Sequence, residues 1–346
     1  MRLVILALLL SMPLLASAAE PTAKGVWQGT LGTRQVTVCF NEVSPEYTNW
    51  SSYYYNDFLK PIQLTKDGGA SVWKESEDTG QWEIGTPRGD VLTGTWRKPK
   101  TNKTLPITLQ RVETDDVMRA PCASDAYNVR LETPPKFVMS KPIQFAPGRS
   151  YRKLSFAGQE TIQLIGAGKG IERINFLLKP DQSKDAIDEY FGQRREFLGR
   201  VGYPAVDERD TEPDYWDANF ITVRFYTWAA GTGRNGISNE YRTWDLKTGE
   251  EVDLWQWIGA SFRDPRLPPK LKNYLYKNID TPSDCRDGYR GEGDFTIMLA
   301  AKGLKFEEEA WGEGCEKAFF VPYEKLGPFL SPMGKRAVGL IVNSKK

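Results

Sequence analysis

The sequence predicts an α+β protein: a small antiparallel β-barrel or sandwich, then an α+β domain whose helices lie against a mostly antiparallel sheet. Two observations carry this. Residues 24–111 hold short alternating runs separated by turn signals, with no helical period longer than two turns. From about residue 151, helical stripes begin to alternate with strand-like runs. A third observation narrows chemistry rather than fold. Of 346 residues 40% are apolar and 26% charged, and none is histidine. A Ser-His-Asp triad, a Cys-His dyad and imidazole-ligated metals are therefore excluded. Catalysis would have to rest on carboxylates, Ser/Lys or tyrosine, and no motif implies a cofactor.

The first segment reads as a leader. Met1-Arg2 is a basic start, residues 3–15 are apolar except Ser11 and Pro13, and Ala16-Ser17-Ala18 offers a cleavage site. This is the pattern of a secretory signal peptide over residues 1–18, too short to span a bilayer. The expectation is an exported chain, periplasmic or extracellular, with no transmembrane segment after cleavage. Arg2 is the one basic residue removed, so the 46 basic residues become 45 against 45 acidic ones. A neutral protein gives no electrostatic reason to expect nucleic acid as partner. Export also makes Cys39, Cys122, Cys285 and Cys315 legible as two disulfides. Three pairings exist, and the local one, Cys39–Cys122 with Cys285–Cys315, is expected. No C-x-x-C pair is present, so a metal site built from the four is not expected.

Within the barrel, residues 35–40 alternate Val36, Val38 and Phe40 against Gln35, Thr37 and Cys39; residues 91–97 and 105–111 alternate likewise. Turns fall at residues 67–69, 88–90 and 99–102. Gly25-Val26-Trp27 is a G-x-W opening, echoed by Gly94-Thr95-Trp96. These residues resemble the opening of small calycin-like barrels. The resemblance implies that Trp27 closes one end beneath an arginine from a late strand, here Arg111. Trp27 and Trp96 are read as core plugs, and so small a barrel as having a packed interior. In Tyr53-Tyr54-Tyr55 alternate side chains point to opposite faces, so at least one is expected exposed or hydroxyl-bonded at a rim. That stretch reads as a structural aromatic pair beside a turn, or as a carbohydrate-stacking platform. The barrel is placed at 24–112. Residues 113–150, with five prolines, read as a connector.

The α+β domain is placed at 151–343. Strands are expected at 162–165, 219–228 and 295–301, with 237–246 the hairpin mate of the second. Helices are expected at 171–178, 183–198, 271–279 and 323–330. In the second helix Ile187, Tyr190, Phe191 and Leu198 form one stripe with Phe197 at its edge; Asp181 or Ser183 caps it and Gly199 stops it. Residues 304–308, 318–321 and 337–342 are expected to complete a sheet.

Three blocks in this half carry a further resemblance: residues 241–254 (YRTWDLKTGEEVDL), 302–306 (KGLKF) and 320–326 (FVPYEKL). In this order they resemble the RsiV-like extracellular domain of lysozyme-sensing anti-sigma factors. The resemblance implies the α+β fold, and a lysozyme-like protein or a related cell-wall ligand as partner. The leader and barrel replace the sigma-binding segment and membrane helix of that family, so an anti-sigma role is not expected. Where relatives carry a histidine-bearing segment after the long strand, this chain reads Gly231-Thr232-Gly233-Arg234-Asn235-Gly236.

Two glycine-rich stretches, 166–170 and 231–236, lack Walker spacing and read as turns. Acidic charge concentrates in two places. Residues 207–217 hold six carboxylates against Arg209 with Tyr215 and Trp216 embedded, and residues 307–316 hold five around Trp311. The candidate binding residues are Asp214, Tyr215, Trp216, Asp217, Glu308, Glu309, Trp311 and Glu313. Aromatic anchors in an acidic face suit a cationic protein, since anchors carry energy and charge steers encounter. The resulting expectation is an exported, non-catalytic binding protein of the cell envelope, recognising a lysozyme-like protein or a peptidoglycan-derived glycan. Its rivals are a structural envelope protein with protein partners only, and a carboxylate hydrolase of cell-wall glycan.

Overall fold

The structure is a computed structural model and describes residues 22–41, 49–66, 72–112, 120–229, 236–263, 266–277, 295–308 and 318–343. The leader, Cys285, Cys315, Glu309, Trp311 and Glu313 lie outside the described residues. The chain divides into two units, Met1–Glu132 with Arg195–Pro204, and Thr133–Arg194 with Ala205–Lys346.

In the first unit eight antiparallel strands close a barrel in sequence order. They are β1 (Gly25–Leu31), β2 (Arg34–Phe40), β3 (Asn49–Tyr55), β4 (Ile62–Lys66), β5 (Val72–Glu75), β6 (Gln81–Ile84), β7 (Val91–Arg97) and β8 (Thr104–Val112). Closure pairs β8 back to β1 and leaves no sheet edge. The period of two sends Trp27, Val36, Val38, Phe40, Tyr53 and Trp73 into one core with Trp82 and Leu109. Trp27 donates from Nε1 to Ala23 O at 2.8 Å, and the Arg111 guanidinium stacks 4.2 Å above its ring. Gly25 has φ +135°, and a Cβ there would lie 2.7 Å from Arg111 Nη1, so only glycine fits beneath that stack.

The barrel also buries a carboxylate. Glu75 Oε1 accepts from the Tyr53 hydroxyl at 2.6 Å, Trp82 Nε1 at 3.0 Å and Trp96 Nε1 at 2.8 Å. Its Oε2 accepts from Thr79 Oγ1 at 2.8 Å. A buried charge is tolerable only when its lone pairs are met, and here four donors meet them. The three tyrosines divide as alternation demands. Tyr53 reaches Glu75, Tyr54 turns to the outer wall, and Tyr55 sits half-buried with the Arg34 guanidinium 5.2 Å from its ring centre.

On the outer wall Val26, Cys39, Tyr54, Cys122, Tyr127 and Leu198 form a second small core, tied by the Cys39–Cys122 disulfide. The Tyr127 hydroxyl donates to Ser52 Oγ at 2.8 Å, and Asn41 Nδ2 donates to Gly199 O at 2.9 Å. The described part of the proline-bearing stretch, residues 120–150, carries secondary structure. Pro121–Ala123 and α1 (Asp125–Asn128) pack on the barrel wall, while β9 (Val138–Met139) and β10 (Ile143–Ala146) are strands of the second unit. Pro121 begins a helical turn, where a missing N–H costs nothing.

The second unit holds three antiparallel sheets. In the first, β11 (Arg149–Phe156) pairs with β9, β10 and β12 (Gln159–Ile165). The second is β13 (Glu208–Trp216), β14 (Phe220–Trp228) and β15 (Ile237–Asp245); the third is β16 (Phe295–Ala300), β17 (Gly303–Glu308) and β18 (Ala318–Pro322). The helices are α2 (Lys169–Leu177), α3 (Lys184–Val201), α4 (Pro269–Tyr276), α5 (Tyr323–Leu326) and α6 (Pro332–Asn343), with the last residues of α3, from Arg195, belonging to the first unit. One core gathers Ile162, Leu164, Ile174, Trp216, Ile221 and Trp244. A larger one gathers Tyr215, Phe220, Trp257, Leu299, Phe306 and Ile341.

Two expectations are corrected. Residues 337–342 form helix, not strand. The apolar run suits either period, but Pro332 opens the element, Ser331 Oγ accepts from Gly334 N at 3.1 Å, and Ala337, Val338 and Ile341 form a buried helical stripe. Gly199 does not stop α3. It lies inside the helix, against Ala120 and Ala123, and Gly202 with φ +74° ends it.

Two predictions follow from the barrel unit. Replacing Glu75 by Ala leaves two buried donors, Tyr53 and Trp82, unmatched at about 1–3 kcal/mol each, and the half-buried Trp96 indole as well. Urea unfolding followed by tryptophan fluorescence should show a loss of roughly 3 kcal/mol or more, with Glu75→Gln losing less. Reducing the Cys39–Cys122 bridge, which closes a sequence separation of 83, should lower the stability of this unit by roughly 4 kcal/mol. The check is unfolding with and without dithiothreitol.

Candidate functional site

The site is built by two interruptions of strand register. In the β10–β11 hairpin, Gln144 pairs with Ser150 and Ala146 with Arg149, so Phe145 is an extra residue. In the β13–β14 pair, Pro213 faces Val223 and Tyr215 faces Thr222, so Asp214 is an extra residue. Such bulges re-aim side chains. Both extra residues line the same open pocket of about 520 Å³, with Arg149, Trp216, Lys305 and the chain from Leu299 through Ala301.

The bulge at Asp214 also decides which core each of the next two rings enters. Past it the alternation is reset, so Trp216 joins Ile221 and Trp244 in one core while Tyr215 joins Phe220 in the other. Each ring is more than nine-tenths buried. The Phe145 and Trp216 ring centres lie 6.1 Å apart, tilted by 34°.

Asp217 fixes the hairpin tip. Its Oδ1 accepts from the backbone N–H groups of Asn219 and Phe220, each at 2.7 Å, and its Oδ2 accepts from the Tyr215 hydroxyl at 2.7 Å. This is an Asx turn, the local chemistry that favours aspartate where a chain reverses. Burial, then Asp217, pushes the Tyr215 phenol up. Tyr323 stands beside it and donates from its hydroxyl to Ala300 O at 2.9 Å. Tyr215 and Asp217 thus form a rigid wall, whereas Asp214 stays exposed.

Asp210 and Glu212 of the same run are paired. Arg224 donates to Glu212 at 2.6 Å and lies 3.7 Å from Asp210. Lys153 binds both Asp210 and Glu160. Against the cost of burial, Lys153 holds the Asp210 carboxyl below its usual range. Asp214 behaves in the opposite sense: desolvation raises its carboxyl, only partly offset by Lys305 and Arg224. Burial followed by Asp214 and Glu307 raises the phenol of Tyr241, across the sheet.

Of the candidate residues described, the pocket brings together Asp214, Tyr215, Trp216 and Asp217. Glu308 is elsewhere. It is buried on the core side of β17 and accepts from the Tyr276 hydroxyl at 3.1 Å, while Lys305, at odd parity, is exposed. Phe145, Arg149 and Lys305 were not among the candidates, since they come from strands remote in sequence and only the bulge and the packing bring them here. Among the described residues, no cluster of three or more acidic or cysteine side chains could hold a metal ion. No described helix is long and apolar enough to cross a membrane.

No protein-family model and no curated protein matches the sequence. Among solved structures, the chain aligns with the endo-arabinase from Bacteroides thetaiotaomicron VPI-5482 over 82% of this chain and 92% of that one, at 10% identity and a TM-score of 0.15. A superposition this loose says nothing about fold or activity.

The raised carboxyl of Asp214 makes a signed prediction. A folded-state value above the unfolded one favours the protonated form, so its contribution is full at low pH and is lost as pH rises through the folded value. Asp214→Asn removes that loss. Thermal melts should show the variant at least as stable as the parent at pH 7, with the difference vanishing below the ordinary carboxylate range.

Proposed function

We propose that this is an exported, non-catalytic binding protein of the cell envelope, which holds a peptidoglycan-derived glycan in the pocket of its second unit. One observation carries the reading: two bulged residues, an aromatic and an acid, meet in one pocket beside two cationic side chains. Phe145, exposed and backed by the buried Trp216, offers an apolar face to a sugar ring. Asp214 accepts from hydroxyl or amide donors, and Arg149 and Lys305 suit the carboxylates that cell-wall glycans and their peptides carry. The size, about 520 Å³, falls in the range of small-molecule sites.

Two features favour binding over hydrolysis and a glycan over a cationic protein. Asp217, the second carboxylate of the pocket, accepts three hydrogen bonds that hold the turn, which occupies it as a general base. Asp210 and Glu212 are paired with Lys153 and Arg224, so these two carboxylates of the run are already matched by cations of the same unit. The Cys39–Cys122 disulfide and the leader-like start support an oxidising compartment.

Calorimetric titration with soluble muropeptides tests the reading. Saturable binding is expected, weakened about tenfold or more by Asp214→Asn and by Lys305→Ala. No heat of binding, or affinity indifferent to both substitutions, overturns it.

A further inference from the structure

A second feature of the same unit has no part in that pocket. β15 is one of the two outer strands of its sheet. Part of the edge is already used by the chain itself: Val252 N donates to Thr243 O at 2.7 Å, Asp245 N donates to Glu250 O at 3.0 Å, and Trp244 bridges Glu251. These bonds show which backbone groups point away from β14, namely those of the odd-numbered residues. By the period of two, Tyr241 and Asn239 aim their N–H and C=O groups the same way. No described strand pairs with this part of the edge. Instead it borders an open groove of about 790 Å³, whose far wall is β16 at Phe295 and Ile297.

The groove has a charge as well as an edge. Glu240, Glu251 and Asp253 line it against the single cation Arg242. Arg242 is already engaged by Glu251, its Nε donating to Oε1 at 2.9 Å, and lies 3.8 Å from Glu240, so one cation is shared between two of the three carboxylates. Asp253 accepts from the backbone N–H groups of Trp255 at 3.0 Å and Phe262 at 3.3 Å and from Gln256 Nε2 at 3.3 Å, bonds that fix its carboxylate at the groove wall. A negative, partly apolar groove beside unpaired strand groups is the arrangement for β-strand addition.

We propose that the groove takes an extended basic peptide from a protein partner, added antiparallel or parallel to β15 at Asn239 and Tyr241. Main-chain bonds to the edge supply affinity, and alternate lysines or arginines facing Glu240 and Asp253 supply selectivity. The segment 250–252 marks where the added strand would end, since it occupies the next positions of the edge. This inference uses none of the pocket residues and stands or falls apart from the glycan reading.

Fluorescence anisotropy of a labelled acetyl-(Lys-Val)4-amide peptide on the full chain tests it. Saturable binding that falls with added salt is expected, with an acetyl-(Glu-Val)4-amide control not retained. A Lys-Val peptide N-methylated on alternate residues should lose about tenfold or more in affinity, the weight of lost main-chain bonds. Asn239→Pro removes one outward N–H from an exposed edge position where proline is tolerated. It and Glu240→Lys should each weaken binding severalfold, without moving the melting temperature or the muropeptide titration. The inference is overturned if the Lys-Val peptide does not bind, or if the N-methylated or Glu-Val peptide binds as well as the parent. Insensitivity to Asn239→Pro overturns strand addition as well. A concentration-dependent dimer abolished by that substitution would instead assign the edge to a second copy of the chain.

Discussion

Two single-residue slips in strand register, at Phe145 and at Asp214, are the constraint on which the second unit's chemistry depends. Strict alternation would put Asp214 in line with Glu212 and would send Tyr215 and Trp216 each to the other face. With the bulge, Tyr215 enters the core built around Phe306 and Trp216 the core built around Trp244. Asp214 is left at the junction with its carboxylate free of the turn. The matching bulge at Phe145 brings an aromatic ring to the same place from a different sheet. A bulge costs local ladder bonds, and it persists because both adjoining rings gain burial in well-packed surroundings.

The two units solve the problem of buried polarity in different ways. In the barrel, the Glu75 carboxylate collects its donors from three other strands and a turn, so a charge that would oppose folding becomes a cross-link of the interior. In the hairpin of the second unit the carboxylates of residues 210–217 divide the work. Asp217 closes a turn, Asp210 and Glu212 pair with cations, and Asp214 keeps solvent contact within a partly desolvating pocket. Density of acidic residues in sequence therefore does not become density of negative field in space. This separates a pocket suited to a small polar ligand from a broad acidic face suited to a basic protein.

Much of this was legible beforehand, for physical reasons that can be named. The barrel strands announce themselves because one face is apolar and one is not, so Val36, Val38 and Phe40 alternate against Gln35 and Thr37. The local pairing of Cys39 with Cys122 followed from sequence proximity in an oxidising setting, and it is present. What failed was the reading of segments whose character is set by partners. Residues 337–342 carry β-branched and apolar residues that either period accepts, and Pro332 with Ser331 settles them as helix. β10 lies in a proline-bearing stretch and owes its strand conformation to β11, which sequence alone does not display. The segment 214–217 stood out by its mixture of charge and aromatics, but Arg149 and Lys305 carry no local signal, and Glu308 resembled Asp214 until the parity of β17 turned it inward.

The central claim is that ligand enters beside the bulged residues of the second unit and not the filled barrel. Nitrogen-15 correlation spectra of the indole N–H groups during muropeptide titration test this most directly. The account predicts that the Trp216 resonance shifts to saturation while those of Trp27, Trp82 and Trp96, held in the barrel by Ala23 and Glu75, stay in place. Shifts confined to the barrel indoles, or none at any indole, would contradict it.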